Sequence, residues 1–221
     1  MRPSRIGALA LSAALLAAGA VRADGGWQPL LTQDGVSVRE RAAPGRALPE
    51  LRAEVAIDAG IFEVLAVIAD VPRQTAWMHD CAESRIVREL GADAVVLYNR
   101  TRAPWPVADR DVVLRSETEL LDPGRRIRVR FANVADLAAK PIDGVVRMPR
   151  LVGAYTLLAL APARTHVTYQ LDIDPGGSLP TWVANRTARE TPLQTLLGLR
   201  RQVSATQGRY GAFVERWSSR H

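Results

Sequence analysis

The region from residue 111 to residue 173 constrains the fold most, because hydrophobic and polar residues alternate along it in strand-length segments. The alternating segments are 111–121, 125–131 and 164–173, and 144–160 is a further strand-length segment that is largely apolar. Alternation with a period of two is typical of strands that bury one face. The links Asp122-Pro123-Gly124 and Ala161-Pro162-Ala163 are short and contain turn-forming residues. The sequence therefore predicts a long antiparallel meander.

The two faces of the first hairpin in this meander differ in polarity. Its apolar face holds Val112, Leu114, Ser116, Thr118, Leu120, Ile127, Val129 and Phe131. A two-residue turn at Pro123-Gly124 places two ion pairs on the opposite face, namely Glu119 with Arg128 and Glu117 with Arg130. We interpret this charged face as a solvated outer surface and not as a ligand site. By the same alternation, the last strand buries Val167, Tyr169, Leu171 and Ile173.

A long helix follows the meander. Asp174-Pro175-Gly176-Gly177 ends the last strand, Ser178 suits a helix N-cap, and Pro180 suits a first turn. The predicted helix runs from Leu179 to Val203. At a rise of 1.5 Å per residue it is roughly 36 Å long, and seven strands at about 4.8 Å spacing make a sheet roughly 34 Å wide. One helix can therefore cross the whole sheet.

Shorter elements precede the meander. Residues 27–31 are expected to form a short helical or irregular lead. Two strands, 36–41 and 48–57, then form a first hairpin. A helix opens at Asp58 or Ala59, a second short helix ends at Met78, and strands follow near 83–90 and 94–101. The order predicts an α+β fold with two short helices inserted after the early strands.

Residues 1–23 have the pattern of a secretory signal peptide. Arg2 and Arg5 precede an apolar run of 16 residues, and Val21-Arg22-Ala23 forms the segment with small residues before the cleavage site. The alternative is a membrane anchor, but a bilayer core requires about 20 apolar residues. We expect cleavage after Ala23 and export to the periplasm or the medium. The single cysteine, Cys81, excludes an intramolecular disulfide.

The charge of the chain does not point to nucleic acid. The formal net charge is +6, but the segment before Asp24 contributes three arginines and no acidic residue, which leaves +3 for the rest. That balance is ordinary for a protein surface. We expect one domain over residues 24–205, and a tail or helix extension over residues 206–221.

Three motifs suggest a family. PWPVADRD at 104–111 lies between two strands, VRMPR at 146–150 enters a strand, and DPGGSLPTWVANR at 174–186 leads into the last helix, which contains Pro192. Together they resemble the START domain of lipid-transfer proteins, over residues 27–203, in a bacterial-type exported member. The resemblance implies the helix-grip fold of the Bet v1-like superfamily, in which a curved antiparallel sheet wraps around a long C-terminal helix.

The resemblance implies a carrier that holds one lipid or other hydrophobic small molecule in a tunnel between the sheet and the last helix. The expected lining residues are Leu114, Ser116, Thr118, Val129, Phe131, Val167, Tyr169, Leu179, Val183, Leu193 and Leu197. Ser116 and Thr118 either hold a ligand head group or hydrogen-bond to protein or water. Cholesterol-carrying members place an acidic and a basic residue in the cavity. An ungapped count puts Leu97 and Ser116 there, so sterol specificity is not implied.

The loop between the two strands at 94–101 and 111–121 is the expected gate, with Trp105, Val107, Asp109 and Arg110 as its key residues. The Trp105 indole, between two prolines, either contacts a bilayer or packs in the core. We expect Asp109, Arg110 and Asp111 to form a salt bridge or loop clamp at the tunnel mouth, and the alternative is that they contact the ligand. The implied partners are the lipid and, transiently, a membrane surface. We expect a monomer and no nucleic-acid partner.

The enzyme alternative is a polyketide-cyclase-like or other small-molecule enzyme on the same fold. His79 and Cys81 are two residues apart, but side chains at that spacing point apart on a helix. The three histidines, at 79, 166 and 221, lack metal-ligand spacing. No catalytic residue, metal site or cofactor is therefore predicted.

Overall fold

The computed structural model describes residues 25–46, 48–122, 124–136 and 138–220. The predicted signal peptide and its cleavage point lie outside these residues. The strands are β1 Gln28–Gln33, β2 Val36–Arg41, β3 Glu50–Ile57, β4 Cys81–Glu89, β5 Ala94–Thr101, β6 Arg110–Asp122, β7 Arg126–Asn133, β8 Val146–Arg147, β9 Arg150–Ala161 and β10 Arg164–Asp174. The helices are α1 Ile61–Ala69, a 3₁₀ helix Val71–Ala76, α2 Thr181–Ala205 and α3 Gly211–Ser218.

The described strands form one sheet in the order β1-β2-β3-β10-β9-β7-β6-β5-β4, with β8 beside the start of β6. Neighbours in this order pair antiparallel, and β8 pairs parallel with β6. In the β6–β7 hairpin, Glu117 lies opposite Arg130 and Glu119 opposite Arg128. The predicted register of this hairpin is therefore confirmed.

Alternating burial shows that the sheet has one covered face. Along β10, Thr165, Val167, Tyr169, Leu171 and Ile173 are buried and the residues between them are partly exposed. The long helix α2 packs against β2 and β3 and against α1. This architecture confirms the predicted α+β fold, with a long C-terminal helix on an antiparallel sheet.

Three expectations about elements are wrong, each for a local reason. Residues 28–33 form a strand because Asp34 and Gly35 adopt positive φ angles of 49° and 76°, which suit a tight hairpin turn into β2. The predicted strand 144–160 is divided into β8 and β9 at Pro149, which has no N–H for the ladder. Helix α2 begins at Thr181 because Leu179 precedes a proline, a position that disfavours helix.

Residues beyond α2 are part of the packed molecule. Helix α3 packs against α1, and its Trp217 side chain belongs to the main hydrophobic core. Residues 206–221 are the segment for which the sequence suggests a tail or a helix extension. Among the described residues, no helix is long and apolar enough to span a membrane.

Candidate functional site

A cavity of about 540 Å³ lies within the fold. Its wall is built from β4 to β7, β9, β10, the 3₁₀ helix, α2 and α3. Ligand pockets in proteins are typically about 300–1,000 Å³ and mostly apolar. The cavity therefore has the size of a small-molecule site.

The pleat of the strands determines which side chains reach this cavity. Apart from Ala94 at its start, the wall residues of β5 are Val95, Leu97, Asn99 and Thr101, and those of β6 are Arg110, Val112, Leu114, Ser116 and Thr118. Each row takes every second residue, because successive side chains of a strand point to opposite faces. The inward row of β6 is therefore apolar in its middle and polar at both ends.

The structure brings eight of the eleven expected lining residues to the cavity wall. They are Leu114, Ser116, Thr118, Val129, Phe131 and Tyr169 from strands, and Leu179 and Val183 at the start of α2. The other three expected residues lie elsewhere. Val167, Leu193 and Leu197 are buried in the packed core and do not line the cavity.

The wall residues of α2 follow helical spacing from Val183. Thr187, Glu190, Thr191 and Thr195 lie four, seven, eight and twelve residues further on and border the cavity. These residues are polar, so the apolar pattern of the helix does not identify them. Leu193 and Leu197 do not border the cavity, because they lie on the helix face that packs into the core. Extending the spacing from Val183 would have found the correct row.

A buried polar cluster also borders the cavity. The Asn99 amide Nδ2 donates to Gln74 Oε1 at 3.0 Å, and Gln74 Nε2 donates to the carbonyl of Ile68 at 3.3 Å. Ser84 Oγ donates to the carbonyl of Val71 at 2.7 Å. Because these groups satisfy one another, the cluster connects β4 and β5 to the 3₁₀ helix. No sequence motif identified it.

Two tyrosines form the aromatic part of the wall. Tyr155 and Tyr169 lie opposite each other on β9 and β10, and their rings stack with centroids 4.3 Å apart. Burial raises the pKa of Tyr169 to about 12 and raises that of Tyr155 well above its usual value. Both hydroxyls therefore stay neutral at ordinary pH.

Asp109, Arg110 and Asp111 form no salt bridge among themselves, because strand alternation turns Arg110 and Asp111 to opposite faces. Asp111 lies on the opposite face, where Arg147 binds its carboxylate through two hydrogen bonds of 2.7 and 3.0 Å. Asp109 accepts a hydrogen bond from the backbone N–H of Ala103 at 3.1 Å. Arg110 instead lines the cavity, with 6% of its surface exposed.

Arg110 connects the expected gate loop to the segment before α2. Its Nη1 donates to the carbonyl of Ala108 at 2.5 Å, and its Nη2 donates to the carbonyl of Ser178 at 3.4 Å. Trp105 is 90% exposed, so the expectation that its indole packs in the core is excluded. Val107 is partly buried, and neither it nor Trp105 lines the cavity.

The residues with nucleophile or metal-ligand chemistry do not form a reactive group. Burial raises the pKa of the Cys81 thiol, so little reactive thiolate is present near neutral pH. His79 Nε2 lies 3.2 Å from Asp80 at the cavity wall. Within the part of the chain that the structure describes, no group of His, Cys, Asp and Glu side chains has a metal-binding arrangement.

Comparison with known proteins agrees with this geometry. The START domain family model matches residues 10–207. An uncharacterized protein of Pseudomonas aeruginosa is 36% identical over 174 residues, 79% of this chain and 85% of the relative. Human START domain-containing protein 10 is 28% identical over 170 residues, 76% of this chain and 57% of the relative.

The crystal structure of a STAR-related lipid transfer protein fragment from Xanthomonas axonopodis superimposes with a TM-score of 0.73. It is 36% identical, and the match covers 81% of this chain and 99% of that fragment. The fold, the cavity and the family match lead to one conclusion. The chain belongs to the START domain family.

Proposed function

We propose that the protein takes up one hydrophobic, lipid-like molecule in the cavity and carries it between membranes or to a partner. The observation that carries this proposal is the cavity of about 540 Å³ between the sheet and α2. Each CH₂ group moved from water into such a site gains about 0.8 kcal/mol. The lipid-transfer description of the Xanthomonas relative supports the same assignment.

The proposed entrance is the loop of residues 102–109 together with the first turns of α2. Ala103, Pro104 and Arg110 on one side and Leu179, Val183 and Thr187 on the other border the cavity. The contact of Arg110 with the Ser178 carbonyl joins the two sides. Opening this contact separates the loop from α2 without breaking a strand pair.

A membrane surface is the proposed partner at this entrance, and the protein acts there as a monomer. Trp105 is 90% exposed and Trp182, in the first turn of α2, is 51% exposed. Indole rings partition well to the interface between lipid and water. Arg102 and Arg186 also border the cavity and offer positive charge to anionic head groups.

We also propose export through the segment 1–23, with cleavage after Ala23. N-terminal sequencing of the mature protein should begin at Asp24-Gly25-Gly26-Trp27. A protein that keeps Met1 in a salt-resistant membrane pellet would contradict export with cleavage.

The experiment that tests the carrier function is native mass spectrometry of the purified protein, followed by extraction of the bound molecule. One lipid per chain is the expected result. A protein that is empty after purification and takes up no lipid from vesicles would refute the proposal. Turnover of a small-molecule substrate would instead favour the enzyme.

A disulfide between position 107 and a position in the first turn of α2, in a variant without Cys81, tests the entrance. We expect the crosslink to stop lipid exchange and reductant to restore it. Equal exchange by the crosslinked and reduced forms would place the entrance elsewhere.

A further inference from the structure

Arg110 is a buried cation on the wall of an otherwise largely apolar cavity. It is the first residue of the inward row of β6, and only 6% of its surface is exposed. Thr101 lies opposite it on β5 and also borders the cavity, so a hydroxyl-bearing side chain is its neighbour. A buried charge is costly unless an opposite charge compensates it.

No carboxylate of the described residues forms an ion pair with Arg110. The acidic groups nearest in sequence are bound elsewhere, Asp111 by Arg147 and Asp109 by the Ala103 N–H. Three acidic groups on the cavity wall are also paired, Asp80 with His79, Asp93 with Arg220 and Glu190 with Arg186. The fourth, Glu89, is exposed at the end of β4. Asp109 acts on the Arg110 charge without forming an ion pair with it, so the guanidinium brings to the site a buried positive charge that has no ion-pair partner among the described residues.

The hydrogen bonds of Arg110 are incomplete as well. A guanidinium carries five N–H donors, and two neutral backbone carbonyls, of Ala108 and Ser178, accept from it. Its Nε is buried and has no partner among the described residues. In line with this, burial lowers the pKa of Arg110. A planar fork of donors fits the two oxygens of a phosphate or a carboxylate.

The other arginines that border the cavity do not share these properties. Arg186 is about half exposed and bound to Glu190, Arg216 lies over the Phe213 ring, and Arg102 is exposed. Burial without a counter-charge therefore distinguishes Arg110 from each of them.

We infer that the ligand is an acidic lipid, whose phosphate or carboxylate group pairs with Arg110 while its apolar part occupies the cavity. This inference rests on the proposed lipid-carrier function and adds the chemical class of the ligand. Pairing supplies the charge that Arg110 lacks and places the acid group near the proposed entrance. The acyl part then lies along the apolar middle of the β6 row, toward Leu114.

The test is uptake of three fluorescent lipids with the same label from phosphatidylcholine vesicles: a phosphatidate, a diacylglycerol with the same acyl chains, and a fatty acid. The wild-type protein should take up an acidic lipid about tenfold better than the diacylglycerol. Uptake of phosphatidate compared with that of the fatty acid identifies the acid group as phosphate or carboxylate.

Arg110→Met should bring the ratio of acidic-lipid uptake to diacylglycerol uptake close to one. Arg110→Lys should keep part of this preference, because a lysine retains the charge but loses the planar set of N–H donors. Arg201→Met is the matched control, since it removes the same charge from an exposed position of α2 that does not border the cavity. Its preference should equal that of the wild type. If Arg110→Met does not fold, the uptake ratios of the wild type and of Arg110→Lys test the inference.

Several results would overturn the inference. Equal uptake of diacylglycerol and phosphatidate by the wild type would refute an acidic ligand and leave the lipid-carrier function intact. A preference that survives in a folded Arg110→Met variant would also refute it. Thermal stabilisation by inorganic phosphate alone, lost in Arg110→Lys, would indicate a site for a free anion instead. Uptake of none of the three lipids would refute the carrier function itself.

Discussion

Phe131 on β7 lies directly opposite Gly153 on β9, and its ring occupies the space where a side chain at position 153 would begin. A Cβ built on Gly153 would lie 2.6 Å from the ring and would also overlap the carbonyl oxygen of Gln170. The Phe131 ring borders the cavity. The missing side chain of Gly153 thus sets the position of one wall of the site.

Gly153→Ala should therefore displace the Phe131 ring from its position on the cavity wall. We expect a loss of about 1–3 kcal/mol in the free energy of unfolding, as for other overpacked cores, together with weaker lipid uptake. Urea unfolding and vesicle uptake measure the two effects. Gly211→Ala is the control, because a Cβ there meets no atom within 4 Å. A Gly153→Ala protein with unchanged stability would contradict the close contact.

Stability at high pH should depend on Tyr169. Its pKa is raised from 10.0 to about 12 by burial, so between these values the unfolded chain loses a proton that the folded chain keeps. The contribution of the Tyr169 hydroxyl to the free energy of unfolding is complete below pH 10 and is lost as the pH rises toward 12. Tyr169→Phe should make the decline shallower by about 1.4 kcal/mol per pH unit. Equal slopes in urea unfolding of the two proteins would argue against the raised pKa.

The pair of Asp111 and Arg147 should contribute more to stability than the ion pairs on the outer face. The Asp111 side chain is 1% exposed, and removing it leaves Arg147 partly buried without its counter-charge. Asp111→Ala should cost about 3 kcal/mol. The Glu117 side chain is 37% exposed, and its Oε2 lies 3.8 Å from Arg130 Nη2. Glu117→Ala should therefore lower the free energy of unfolding by less than about 1 kcal/mol. Thermal and urea unfolding measure the loss in stability of each variant. Similar losses in the two variants would refute the greater contribution of the Asp111–Arg147 pair.

Trp105→Ala should change membrane binding and leave the fold intact. Because the residue is 90% exposed, its removal should alter the free energy of unfolding by less than about 0.5 kcal/mol. Binding to anionic vesicles, measured by co-sedimentation, should weaken. Leu160→Ala, at a 52% exposed position next to the β9–β10 hairpin, is the control. Equal vesicle binding by both variants would remove the proposed role of Trp105.

The sequence predicted the sheet better than the site. The register of Glu117 with Arg130 follows from alternation and turn length, which are local properties. The adjacent charges of Arg110 and Asp111 suggested one cluster, but adjacent residues of a strand face opposite sides of the sheet. The wall of α2 was missed because its cavity residues, such as Thr187 and Thr195, are polar.

The existence and size of the cavity depend on contacts between distant segments, which no local pattern reports. At Gly198, α2 approaches the backbone of Trp77 so closely that a Cβ would overlap the Trp77 carbonyl oxygen. Contacts of this kind position the helix over the sheet. They join residues far apart in the chain, so a single sequence does not identify them.

Helix α3 lies beyond residue 207, where the match to the family model ends. Even so, its Phe213, Arg216 and Trp217 form part of the cavity wall. The capacity of the cavity is therefore partly encoded outside the segment that defines the family. Substitutions after residue 210 can therefore change the volume of the cavity while the sheet and its inward rows stay the same.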